Sequence, residues 1–386
     1  MSTSLLSHGV LGYDGTPSTY YEPLYPIFLA IARWIGDDHL LFVLVVQALI
    51  GSIGGVYLYE LALALSRSTS TAGIATVTYA FYPYLVAQSS ALEEVTLFTT
   101  LLIAGAYHYA SGERLGHALT CGAAFGLALL TRTVALPIVL LGALALAARK
   151  RISDACVIAG VALLVYGPYA ARNHRIDGSI LPTRSGFNFF KANCSYSEAV
   201  IPSYMVDVLN VYAADVLDAG IRDAGHASER EIDRFYTARA MECVRKDPMR
   251  SAIRWLRNAF YLFYPRLVPY HPIGPATRAK LVGPNAITVT DPGARGIAEE
   301  IGYTLSYGPI LVAAMVGIYL RRRDLERDRI LYLVVFSFAA VYSVSWPATR
   351  VRAPMDFVLI FFAACAIDRI ALVRFRAARR GRPRAI

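Results

Sequence analysis

The chain has 386 residues, of which 56% are hydrophobic and only 17% charged, and its mean hydropathy is +0.44. A soluble domain carries about 25% charged residues, so this composition does not fit a soluble enzyme or binding module. The net charge of +10 does not point to nucleic acid either, because the basic residues sit in short clusters beside apolar blocks, at 149–151, 321–329 and 374–384. Such clusters mark the cytoplasmic loops of membrane proteins, and the last one is placed to touch anionic membrane lipid.

Near the start of the chain, GTPSTYYEPLYPIFLAI at 15–31 is polar and turn-rich before it becomes apolar and aromatic. The apolar part, 24–36, is too short to cross a membrane. It is expected to form a helix lying along the membrane surface, with Tyr25 and Trp34 at headgroup level. Apolar blocks then predict helices near 39–65, 70–88, 94–111, 115–131, 133–148, 152–170, 302–320, 329–346 and 354–373. The stretch 115–148 is interrupted at Arg132, and its two halves are short for full spans. Residues 171–301 hold no clean span and are read as one water-exposed region, with an interfacial helix near 248–265. Backbone groups inside lipid are satisfied only in helices or closed barrels, and the blocks lack the alternation of barrel strands. The expected fold is an all-α polytopic membrane protein.

Placing the three basic clusters on the cytoplasmic side gives an even number of crossings between each pair of them. The loops at 89–93, 131–133 and 347–353 then fall outside, together with 1–38 and 171–301. The chain divides accordingly into an outer loop with a surface helix (1–38), an N-terminal membrane bundle (39–170), an outer region (171–301), C-terminal membrane helices (302–373) and a basic cytoplasmic tail (374–386).

This topology brings Arg132, Arg172, Arg350 and Arg352 to outer helix ends. Guanidinium groups there suit a phosphate, whose oxygens accept two parallel hydrogen bonds. They equally suit plain contact with lipid headgroups. Glu93 and Glu94 stand at an outer helix start, where a carboxylate either favours the helix dipole or serves as an acid in a catalytic cavity. Asp14 and Glu22 are acids of the first outer loop, a position that also suits ordinary loop residues. His174 and His271 lie in the outer region, where a lone histidine is usually a surface residue. Cys121, Cys156 and Cys365 fall within spans as packing residues. Cys194 and Cys243 fall outside, where pairing is open to them. The cysteines show no metal-type spacing, and NCS at 193–195 is a formal glycosylation sequon.

Five stretches, in order, resemble one family. They are 17–65, with Pro23, Tyr25, Pro26 and Gln47; YPYLVAQSSALEEVTLF at 82–98; GLALLTRTVALPIVLL at 126–141; YGPYAARNHRIDGSILPTRSGFNFFKAN at 166–193; and RVRAPMDFVLIFFAACAI at 350–367. Together they resemble the GT-C glycosyltransferases, in the branch of protein O-mannosyltransferases and lipid A aminoarabinose transferases. The resemblance implies a GT-C helical bundle in the inner (cytoplasmic) membrane with its active site facing out. It implies sugar transfer from a polyprenyl-phosphate donor to a glycan, lipid or protein acceptor, with a divalent metal as a cofactor to look for. Glu93 or Glu94 could match the family glutamate, which with Asp14 from the first loop makes the candidate catalytic set; the donor-phosphate set Arg132, Arg172, Arg350 and Arg352 comes from the topology. Members of the branch carry a first span followed by an acidic residue that this sequence does not show. On the resemblance alone the chain is expected to be inactive unless Asp14, Glu22, Glu93 or Glu94 serves as base. A transporter and a non-catalytic membrane scaffold are the rival classes. Both are polytopic bundles, but charges within spans are scarce and the outer region breaks any inverted repeat.

Overall fold

Helices α1 (Ser2–His8), α2 (Leu24–Ile35) and α3 (Leu40–Ser66) open the structure, a computed structural model. It describes all residues except 113, 195–196, 202–212, 214–215, 218–219, 222–226, 268–278, 284–285, 290–292 and 381–386. His271, the serine of the sequon at 195 and the end of the basic tail lie outside the described residues. Between α1 and α2 sits a small hairpin of β1 (Gly12–Tyr13) and β2 (Thr16–Pro17), paired antiparallel.

The apolar blocks become helices close to their expected places. α3 is followed by α4 (Thr69–Phe81), α5 (Pro83–Ser89), α6 (Val95–Ala110), α7 (Leu115–Leu129), α8 (Ala135–Ala148) and α9 (Ile152–Asp177). Proline disfavours helical backbone in the residue before it, and Tyr82, ahead of Pro83, is extended. The span expected at 70–88 is therefore two helices, α4 and α5. α9 runs on to Asp177, so Arg172 lies within a helix rather than at its end.

After α9 come α10 (Ser185–Asn193), α11 (Ser197–Val200), α12 (Glu229–Lys246) and α13 (Pro248–Leu262). Ser228 and Glu231 close a capping box at the start of α12, satisfying two of its free N–H groups. β3 (Ala279–Gly283) and β4 (Ala286–Val289) form a second hairpin. The chain ends with α14 (Gly293–Leu320), α15 (Arg329–Val344), the short α16 (Thr349–Arg352) and α17 (Asp356–Arg380).

Among the described residues three helices are long and apolar enough to cross a membrane: α3, α9 and the Ala298–Leu320 part of α14. α6, α7, α8 and α15 are apolar but have 14–16 residues, about 21–24 Å at 1.5 Å per residue. The bundle turns apolar side chains outward: Leu41, Leu49 and Val56 of α3 are 59–72% exposed. Its helices also approach closely through small residues. A Cβ on Gly122 of α7 would stand 2.8 Å from the Ile158 carbonyl of α9, and one on Gly126 would stand 3.1 Å from Ala162. Close backbone contact of this kind is how helices associate where no hydrophobic effect drives them together.

The connections gather at two ends. At the basic end, Arg151 Nη2 donates to the Gly112 carbonyl (3.1 Å), Arg321 Nη2 to Leu65 (3.1 Å) and Arg329 Nη1 to Ala145 (3.3 Å). The expected cytoplasmic loops thus share one end. At the other end lie 17–24, 88–94, 130–134 and 345–355, with α10 to α13 beside them. Leu24 N–H donates to the Leu130 carbonyl (2.9 Å), and Tyr169 Oη to Tyr21 (2.9 Å). Residues 171–267 are not only loop. Phe190, Cys194, Ala213, Tyr236 and Ala240 form a core of their own, and Cys194 and Cys243 are joined by a disulfide.

Candidate active site

The loop between α5 and α6 is shaped by a buried glutamine. Gln47 Nε2 donates to the carbonyls of Ser89 (2.9 Å) and Ala91 (2.6 Å), while its Oε1 accepts from Tyr25 Oη (3.0 Å). Gln47 is fully buried and Tyr25 only 9% exposed. Tyr25, expected at headgroup level, is thus packed inside the bundle against Gln47. On α2 only Trp34, 76% exposed, fits that part. The brace delivers Glu93 and Glu94 to the start of α6, with Glu94 as its N-cap residue, where the helix dipole favours negative charge.

Two arginines from distant parts of the chain converge on Glu94. Arg132, between α7 and α8, donates from Nε (2.9 Å) and Nη2 (2.6 Å) to Glu94 Oε1. Arg350 Nη2 donates to Glu94 Oε2 (3.0 Å), and Arg350 Nε pairs with Glu93 Oε2 (2.9 Å). The four side chains keep 11–21% of their surface accessible although protein surrounds them, so they line a crevice rather than a face. Burial works against ionisation of Glu94, but the charges of Arg132 and Arg350 outweigh it and hold its carboxyl down at about 2. Phe98 of α6 lies under the Arg132 guanidinium, 5.7 Å away. Arg132 Nη1 is buried and finds no hydrogen-bond partner among the described residues.

Glu22 joins this group from the first loop. Its Oε1 accepts from the Thr133 N–H (2.9 Å) and Thr133 Oγ1 (3.2 Å), one residue from Arg132. Both Thr133 contacts fall on the same oxygen, Oε1. Burial raises the Glu22 carboxyl above the ordinary carboxylate range, and the Thr133 N–H only partly opposes this. The two carboxylates are therefore pushed apart, Glu94 down and Glu22 up. An acid just before Pro23 was visible in the sequence, but nothing local announces that it meets Thr133, 111 positions away.

The remaining candidates stand elsewhere. Asp14 is exposed at the hairpin turn, where Asp14 (φ 48°) and Gly15 (φ 79°) both take left-handed backbone. Two such residues between paired strands form the favoured tight hairpin turn, so Asp14 has a structural role in that turn. Arg172 donates to the carbonyls of Ser18 (3.0 Å) and Leu11, fixing the first loop to α9. Arg352 is 1% exposed and pairs with Asp356 (Nε–Oδ1, 2.9 Å), with its guanidinium 3.6 Å from the Tyr307 ring centroid. Both arginines are engaged by the fold, Arg172 by backbone carbonyls and Arg352 by Asp356. His174 is exposed. No group of three or more His, Cys, Asp or Glu side chains placed to hold a metal occurs among the described residues. Glu93 and Glu94 are neutralised by arginine, so the donor set does not fit a divalent ion.

No protein-family model matches the chain, and no curated protein matches it.

Proposed function

We propose that the chain is a membrane glycosyltransferase of GT-C type, which moves a sugar from a polyprenyl-phosphate donor to an acceptor hydroxyl. The basic end lies in the cytoplasm, as clustered arginines beside apolar spans require. The crevice then opens on the outer side of the cytoplasmic membrane. The observation that carries the reading is the convergence of Arg132 and Arg350 on one enclosed carboxylate, next to the Thr133 that holds Glu22. Enclosed cations that reach out from two separate helix ends suit a phosphate headgroup presented at the membrane surface.

The chemistry follows from the geometry. The acceptor oxygen attacks the anomeric carbon, and the carbon–oxygen bond to the donor phosphate breaks, its electron pair leaving with the phosphate. Arg132 and Arg350 stabilise the charge that grows there. The acceptor proton passes to Glu22 Oε2. Among the acids of the crevice Glu22 is the fit one for this task. A base works best when its pKa is near the working pH, and Glu94, held at about 2, is too weak a base. Glu94 and Glu93 instead hold the arginines in place until the donor enters.

The test uses the full chain in proteoliposomes with polyprenyl phosphates carrying radiolabelled hexose or pentose, and a cell-envelope extract as acceptor. Release of free polyprenyl phosphate together with label in the acceptor fraction is the expected result. A folded, disulfide-bonded protein that releases no polyprenyl phosphate from any donor overturns the reading.

A further inference from the structure

Helix α13 has the reverse polarity of a helix on a water-soluble protein. Its inward face carries Ser251, Arg254 and Asn258, all buried. Arg254 Nε pairs with Glu198 (3.0 Å) and its Nη1 donates to the Asn193 carbonyl. Trp255 Nε1 donates to Asn193 Oδ1 (2.7 Å), and Asn258 Nδ2 to the carbonyls of Ser343 and Ser345 (3.1 Å each). Its outward face carries Met249, Ile253, Leu256 and Phe260, which are 57–74% exposed. Steps of four, three and four residues put these side chains in one stripe along the helix. On a soluble protein such a stripe faces the core and the polar face meets water.

We propose that this stripe is seated in the membrane leaflet at the site end, so that α13 is a lipid-facing wall of the region 171–267. The proposal rests on the membrane reading above. Three features select lipid as the occupant. Ser251, Arg254 and Asn258 of the buried face are turned toward protein partners, as a hydrocarbon surrounding demands. Aromatic side chains of the kind that sit at membrane interfaces accompany the stripe: Trp255, Tyr261 and Tyr264, the last two 5.7 Å apart. And the stripe continues into spanning surface. Arg266, just past α13, pairs with Glu300 of α14 (2.6 Å), and Ile301 and Leu305 of that helix are 53% and 70% exposed.

One consequence concerns the site. α13 holds Ser343 and Ser345, and the same strand of chain leads through Trp346 to Arg350. Lipid seating of α13 therefore ties the position of Arg350 to the leaflet from which the donor comes.

The experiment places a nitroxide at Leu256→Cys in the full chain in proteoliposomes, with the native disulfide kept and Cys121, Cys156 and Cys365 replaced by Ser. Collisions with oxygen, which partitions into lipid, are compared with collisions with a water-soluble nickel chelate. Leu49→Cys on α3 is the lipid reference, and Glu242→Cys, 63% exposed on α12, is the water reference. The expected result is oxygen-dominated relaxation at 256, as at 49, and nickel-dominated relaxation at 242. Nickel-dominated relaxation at 256 with a lipid-like 49 overturns the proposal alone. Poor access of both reagents at 256 overturns it too, since a protein surface such as a second copy then covers the stripe. Nickel-dominated relaxation at 49 overturns the membrane reading with it.

Discussion

The two ends of the bundle use arginine in opposite ways. At the basic end three arginines close helix termini. Arg151, Arg321 and Arg329 donate to the carbonyls of Gly112, Leu65 and Ala145, groups left free where α6, α3 and α8 finish or near it. Their acidic partners are near in sequence, as in Arg151–Asp154 and Arg321–Asp328. At the site end Arg132 and Arg350 bypass backbone and meet carboxylates 38 and 256 positions away. A cation that caps a carbonyl is a structural part. Cations that share an enclosed carboxylate, beside a second acid, are the arrangement on which the proposed donor-phosphate site rests.

The strongest way to break this comparison is Glu22→Gln. Loss of a general base lowers rate by a factor of about 100 to 10,000, and that loss is expected in the release of polyprenyl phosphate. The raised carboxyl of Glu22 fixes the sign of the pH effect. Its ionised form accumulates only as pH climbs through the raised value, so transfer is expected to fall on the acid side of that value. Glu94, held at about 2, stays ionised throughout and adds no limb of its own there. Stability carries the opposite sign, since folding disfavours the ionised Glu22. The Gln variant is expected to melt no lower than the parent at neutral pH. A variant that loses stability and activity together would make Glu22 a strut for Thr133 rather than a base.

Next in size is the contrast between Arg352 and its neighbour Arg350. Removing one partner of a buried ion pair leaves an uncompensated charge and costs about 3–5 kcal/mol. Arg352→Ala strands Asp356 in this way and is expected to abolish folded protein in the membrane. Arg350→Ala and Arg132→Ala each remove one set of charge-assisted contacts in the crevice, a loss of about 1.5–3 kcal/mol. They are expected to lower turnover while insertion and the disulfide persist. Equal protein levels for all three variants would show that the two arginines of α16 are not divided between fold and site.

That division was not legible in the sequence, where Arg350 and Arg352 stand two positions apart with the same outer-end address. On α16 they point to different sides, one to Glu93 and Glu94 and the other to Asp356 under Tyr307. The legible parts follow from solvent physics. Long apolar blocks gave the helix positions, basic clusters predicted which loops share an end, and Pro83 and Arg132 marked breaks. The places of Asp14 and Tyr25 in the fold were not legible because they depend on partners. Asp14 needs the pairing of β1 with β2, and Tyr25 needs Gln47 on the next helix. Glu22 needed the longest reach, since only the packed bundle brings the first loop against the α7–α8 turn. Local pattern specifies elements, while the site is made of contacts between elements far apart in the chain.

The smallest expected effect lies at the basic end and tests the comparison from its weak side. Arg149 pairs with Glu326 at 3.1 Å, with the two side chains 47% and 74% exposed. Water and salt screen such a pair, and exposed pairs contribute about 0–1 kcal/mol. Arg149→Ala is therefore expected to leave turnover unchanged and to shift melting by no more than that amount, with the shift vanishing in high salt. Orientation is a separate matter, because Lys150, Arg151 and the 321–329 run keep the basic end positive after the substitution. A large loss of transfer from Arg149→Ala, at the far end of the bundle from Glu22, would mean that the ends are coupled and that the division between capping arginines and site arginines does not hold.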